Sequence, residues 1–167
     1  MGSDERRAAF ARLVETHHGR VYNLMLRMCG SAPDAADLTQ KAFLRAWRAL
    51  DSYDPARPPL PWLYRIAVNA LRDRSRSQGR HPEVLGDAEP AGEAPGPEEG
   101  AVAHDEASRL WAAVAALAPS YRLPVLLYYQ HEMDVRQVAA ALGLPATVVK
   151  NRLLRARRAL REALEGV

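Results

Sequence analysis

Between His81 and Ser108 runs the stretch HPEVLGDAEPAGEAPGPEEGAVAHDEAS, which holds eight acidic side chains and no lysine or arginine. It is rich in proline and glycine and shows no apolar stripe at helical spacing. A segment of that kind buries too little surface to offset its ordering entropy, and its like charges keep it extended. It is therefore expected to be a linker, and whatever folds in this chain must fold on either side of it. Both flanks are basic. Residues 1–80 carry 14 basic and 8 acidic side chains, and residues 109–167 carry 9 and 4. The organisation predicted is two small basic modules, 1–80 and 109–167, on an acidic tether at 81–108 that solvates the chain and screens the modules from non-specific polyanions.

A hydrophobic fraction of 48% over 167 residues supplies enough apolar surface for both modules to fold. The longest uncharged stretches, Leu110–Tyr121 and Gln137–Val149, fall short of the roughly 20 residues that a membrane-spanning helix requires. The opening MGSDERR is charged and has no apolar signal core, which points to the cytoplasm. Cys29 is the single cysteine, so an internal disulfide and a cysteine-based zinc cage are both excluded.

No strand pattern appears, and the fold class expected is all-α. In the first module Phe10, Leu13, Val14, Val21, Leu24, Met25 and Met28 recur at helical spacing, predicting a helix over 4–29 that Gly30 can end. Ser31-Ala-Pro-Asp34 then supplies an N-cap, a proline in the first turn and an acid three residues on, the marks of a new helix. This second helix is expected to reach about Leu50. Four prolines make 51–61 a loop, and a third helix follows from Trp62 to about Ser77. Along that helix Arg65, Arg72, Arg74 and Arg76 meet a single acid, Asp73, with Trp62, Tyr64 and Asn69 interleaved. Guanidinium groups for phosphates and rings for exposed bases are the chemistry of unpaired nucleic acid. A solvated basic face with its aromatics in the core would give the same pattern.

The second module reads as four helices. A short one ends at Ala118-Pro119-Ser120, a second covers 121–130, a third covers 135–142 and a fourth runs from Ala146 towards Glu165. Asp134 and Gln137 form a capping-box pattern, and Gly143 suits the left-handed residue after a helix. Helix, glycine-containing turn and helix, with small Ala139 and Ala140 at the crossing, is the signature of a helix-turn-helix. Its second helix carries six basic residues and no acid over 146–161. The favourable dipole at a helix C-terminus accounts for Arg157, Arg158 and Arg161, but not for Lys150 and Arg152 in the first turns. A cationic helix after such a turn fits the major groove, where arginine bonds guanine bidentately.

The runs DAADLTQKAFLRAWRALDSYDP and PWLYRIAVNALRD resemble the polymerase-binding module of bacterial sigma factors, and YRLPVLLYYQHEMDVRQVAAALGLPATVVKNRLLRARRAL resembles their C-terminal helix-turn-helix. With no further domain between the two, the chain resembles the extracytoplasmic-function (ECF) group of the sigma-70-like family. The resemblance implies a transcription initiation factor that joins core RNA polymerase, reads promoters and assists their melting. It implies that Asp37, Gln40, Lys41 and Leu44 dock on the clamp coiled coil of the largest polymerase subunit. Trp62, Arg65, Asn69, Arg72 and Arg76 would capture the non-template single strand of the −10 element, beside a preformed pocket in the proline-rich loop for a flipped-out base. Lys150, Asn151, Arg152, Leu154 and Arg155 would read the −35 element as duplex. The tether would thread towards the RNA exit channel, and a cognate anti-sigma factor is an expected partner. Two places depart from the family pattern: Ala36 and Lys41 stand where acids are usual, and Thr147-Val148 stand where Gly-Thr is usual.

No phosphate-cradling glycine loop, metal-ligand cluster or nucleophile–base pair is visible, so neither an enzyme nor a cofactor is expected. His17-His18 are neighbours whose side chains diverge on a helix, and Cys29 reads as a small buried hydrophobe. A competing assignment is a polymerase-independent helix-turn-helix regulator, which would leave the Arg/Asn/aromatic helix unexplained.

Overall fold

Proline and glycine set the borders of the helices. In the computed structural model, which describes residues 2–79 and 106–166, the first module comprises α1 (Ser3–Cys29), α2 (Ala32–Arg48) and α3 (Pro59–Ser77). The second comprises α4 (Glu106–Ala116), α5 (Pro119–Val125), α6 (Val135–Leu142) and α7 (Ala146–Glu165). No strand occurs among the described residues, and the fold is all-α with three helices followed by four. The acidic tether lies outside the described residues except for its last three positions, which open α4.

Gly30 closes α1 in the left-handed conformation at φ 69°, which returns its N–H to the Leu26 carbonyl. The Ser31 hydroxyl accepts from the Asp34 N–H and starts α2. The loop after α2 is shorter than its four prolines suggest. Leu50–Ser52 form a 3₁₀ turn, and α3 begins at Pro59 rather than Trp62. The reason is local, because a missing N–H costs nothing in the first turn of a helix. The other departure is at 121–130, expected as one helix. Here α5 ends at Val125, and Leu126–Gln130 continue as a π turn in which the His131 N–H reaches back to the Leu126 carbonyl at 3.0 Å. This wider turn carries His131 to a buried position.

The core of the first module is built by Leu24 and Met25 of α1, Ala35, Leu38 and Ala46 of α2, and Tyr64 and Val68 of α3. In the second module Leu123, Leu126, Leu127, Val138, Leu142, Val149 and Ala156 play that part. The two modules pack on one another, with α3 against α6. Across that seam the Tyr64 hydroxyl meets His131 Nδ1 at 2.6 Å, and the Arg72 guanidinium donates to the Leu142 carbonyl. Arg122 donates to the Met28 carbonyl at 3.1 Å, and Arg27 lies over the Trp111 ring, 3.8 Å from its centroid.

Candidate nucleic-acid interface

Helix α3 owes its basic side to residues spaced three and four apart, which share one face. Arg65, Asn69 and Arg76 are exposed, and Arg72 is half-buried with Nη1 donating to Asn69 Oδ1 at 3.2 Å. Burial first, then the cations of Arg76 and Arg152, push the Arg72 guanidinium below its ordinary pKa. Part of the arginine run serves the fold. Arg74 pairs with Asp34 of α2 at 2.5 Å, while Asp73 is shared between Arg45 at 2.7 Å and Arg76 at 3.7 Å.

Trp62 is half-buried and lies against Tyr53, ring centroids 4.8 Å apart. The Tyr53 hydroxyl donates to the Arg57 carbonyl at 2.7 Å, and Asp54 Oδ1 accepts from the Ala56 N–H at 2.9 Å. The proline-rich loop is thereby braced from within. Sequence reasoning missed Tyr53, although an aromatic before the prolines is the signal that could have found it. It also counted Tyr64 among aromatics available to bases. With its side chain fully buried, Tyr64 cannot stack on nucleic acid.

The helix-turn-helix forms from local signals. Asp134 and Gln137 exchange hydrogen bonds at 2.8 and 3.0 Å at the start of α6, and Gly143 ends it at φ 65°. The Leu144 N–H returns to the Ala139 carbonyl at 3.0 Å, and Pro145 opens α7. From α7 Lys150, Asn151, Leu154 and Arg155 are exposed. Arg152 differs: only 6% of it is exposed, and it faces inward with Val149 and Leu153. On α2, Asp37, Gln40, Lys41 and Leu44 lie on one exposed face, where Lys41 Nζ pairs with Asp37 at 2.9 Å and Leu44 stands 49% exposed.

The remaining chemistry-bearing residues go to packing. His18 stacks on Phe43 at 5.8 Å, and Cys29 Sγ lies 3.5 Å from the Ser31 carbonyl oxygen. Among the described residues no three His, Cys, Asp or Glu side chains converge as a metal would require. Nor is any helix among them long and apolar enough to cross a membrane.

The family description of Sigma-70 region 2 matches residues 13–81, and that of Sigma-70 region 4 matches residues 107–160. The chain is 34% identical over 171 residues to the ECF RNA polymerase sigma factor SigW of Bacillus subtilis, covering 95% of this chain and 90% of that one. The chain belongs to the sigma-70 family, in its ECF group. It is also 36% identical over 168 residues to the RNA polymerase sigma factor CnrH of Cupriavidus metallidurans, covering 95% and 87% of the two chains. The solved structure of CnrH in complex with the cytosolic domain of CnrY matches at TM-score 0.66 and 28% identity over 96% and 90% of the two chains. The sigma factor RpoE in complex with the anti-sigma factor NepR from Bartonella quintana shares the fold at TM-score 0.72 and 21% identity, over 94% and 97%. This ECF sigma factor is a promoter-recognising transcription initiation factor. A polymerase-independent regulator is not favoured, because the first module matches region 2 as well as the second matches region 4.

Proposed function

We propose that this ECF sigma factor divides its work by module: residues 1–80 hold core RNA polymerase and the melted −10 strand, residues 81–108 tether, and residues 109–167 read the −35 duplex. The observation that carries this is the pairing of two basic helices of different character in one chain. Helix α3 joins exposed Arg65, Asn69 and Arg76 to a braced Tyr53–Trp62 corner, which suits phosphates and an unstacked base. Helix α7 follows a capped turn and offers Lys150, Asn151, Leu154 and Arg155 to a groove. The free energy for melting comes from trapping unpaired bases, so the sigma factor needs neither catalysis nor a cofactor. Its place of action is the cytoplasm, with polymerase and DNA. Two of the solved relatives were captured with a partner, NepR or the cytosolic domain of CnrY, and an anti-sigma factor is the matching partner here.

The test is transcription in vitro from fragmented genomic DNA, with core polymerase alone and with this protein added. Discrete new start sites sharing two upstream elements are expected. No new starts from folded protein and active core would overturn the proposal. On a promoter so recovered, Arg152→Ala should weaken discrimination of the −35 element by about 1–3 kcal/mol. Equal initiation by that variant from intact and scrambled −35 elements would remove Arg152 from readout. The clamp-facing surface makes a separate prediction. Asp37→Arg should weaken binding to core polymerase about tenfold, or about 1.4 kcal/mol; Lys41 already offsets part of the Asp37 charge, so a larger loss is not expected. Unchanged affinity in a binding titration would take Asp37 out of the interface.

A further inference from the structure

The residues assigned to the two promoter elements lie at one seam. Arg72 of α3 donates to the last carbonyl of α6, at Leu142, and Arg152 of α7 is buried beside the same turn. Arg152 is near enough to be one of the cations acting on Arg72. On a promoter, the elements centred at −10 and −35 stand about 25 base pairs apart, or about 85 Å at about 3.4 Å per pair. A chain whose two readers adjoin cannot engage both elements at once. Arg72 has its guanidinium spent on a backbone carbonyl, and Arg152 is covered.

We propose that the packed arrangement is an autoinhibited state, in which the α3–α6 seam latched by Tyr64 and His131 withholds Arg72 and Arg152 from promoter DNA until the modules part. The proposal rests on the assignment of those two arginines to promoter contact. The seam has the composition of an interface built to open. Its cross-module bonds are polar and reach from side chains to carbonyls, at Met28 from Arg122 and at Leu142 from Arg72. At its edge Arg27 covers the Trp111 ring. Inter-domain contacts of this polar kind favour relative motion of the parts they join. A closed majority lowers apparent affinity by the fraction of open chains, so one open chain in ten costs about tenfold in DNA binding.

The full chain tests this, as Cys29→Ser with spin labels at Glu15→Cys and Arg161→Cys, two exposed positions in different modules and away from the seam. Pulsed dipolar spectroscopy should give a single short distance for the free protein and a long one after core polymerase is added. Only long distances in the free protein would overturn the proposal, as would a short distance that persists on polymerase. His131→Lys places a permanent charge under the seam and should abolish the short distance. Arg27→Glu breaks the contact with Trp111 from an exposed position, and serves where His131→Lys fails to melt cooperatively. Either opened variant should bind a recovered −35 duplex about tenfold more tightly. Opening without tighter binding overturns the inhibition. Arg152→Ala in the opened chain then separates the two causes: weakened binding leaves the promoter assignment standing, and unchanged binding removes that assignment too.

Discussion

Tyr64→Ala should lower the unfolding free energy by about 3–5 kcal/mol, and Tyr64→Phe by only about 1–2 kcal/mol. The ring is fully buried within α3 and packs edge-on against His131, centroids 5.0 Å apart at 65°. Truncation removes that packing and leaves a cavity between the modules. The phenylalanine keeps the ring and deletes one donor, leaving His131 Nδ1 buried without the hydroxyl at 2.6 Å. Burial raises the tyrosine pKa above its ordinary value, so the hydroxyl keeps its proton and donates it. The imidazole therefore accepts at Nδ1 and carries its own proton on Nε2. Denaturant unfolding followed by helical circular dichroism reads both variants. A loss for phenylalanine equal to that for alanine would mean that the hydrogen bond, and not the packing, dominates. No loss from either would mean that the seam is not formed in solution.

The seam was the part of this molecule that the sequence could not announce. Tyr64 and His131 stand 67 residues apart, and an apolar stripe says that a face is covered without saying by what. Tyr64 accordingly looked like one more aromatic on a nucleic-acid helix. Arg152 was misjudged as freely displayed for the same reason: its place in the first turns of a cationic helix is legible, but its burial depends on how the modules pack. What was legible is what short-range chemistry decides. The Asp134–Gln137 box, Gly30 and Gly143 announced their helix ends because caps and left-handed residues are local events. The helix borders near Pro59 and Pro124 were less clear, since a proline reads as a breaker when its offset from the helix start is unknown. On α2 the exposure of Asp37, Gln40, Lys41 and Leu44 followed from spacing alone, once Leu38, Ala42 and Phe43 had claimed the core.

Acidification should destabilise the closed protein through His131, with a loss of about 2 kcal/mol between pH 7.5 and pH 5. Burial, and then the nearby cation of Arg20, lowers the His131 pKa from 6.5 to about 4. The group facing its Nδ1 is the neutral Tyr64 hydroxyl, which offers a proton-bearing donor where an imidazolium would need an acceptor. The unfolded or parted chain thus takes up a proton near pH 6.5, while the packed chain resists until about pH 4. Stability is complete above pH 6.5, falls as pH drops through that window, and levels off below pH 4. His17 moves in the same direction, by burial and then Arg20, so the wild-type curve alone does not isolate His131. The comparison that does is wild type against His131→Gln, in denaturant unfolding at pH 7.5, 6.5, 5.5 and 5.0. The glutamine variant should start less stable at pH 7.5 and lose less on acidification, so that the gap narrows towards pH 5. A gap independent of pH would mean that His131 titrates alike in the packed and unpacked chain, and that its burial between the modules carries no electrostatic cost.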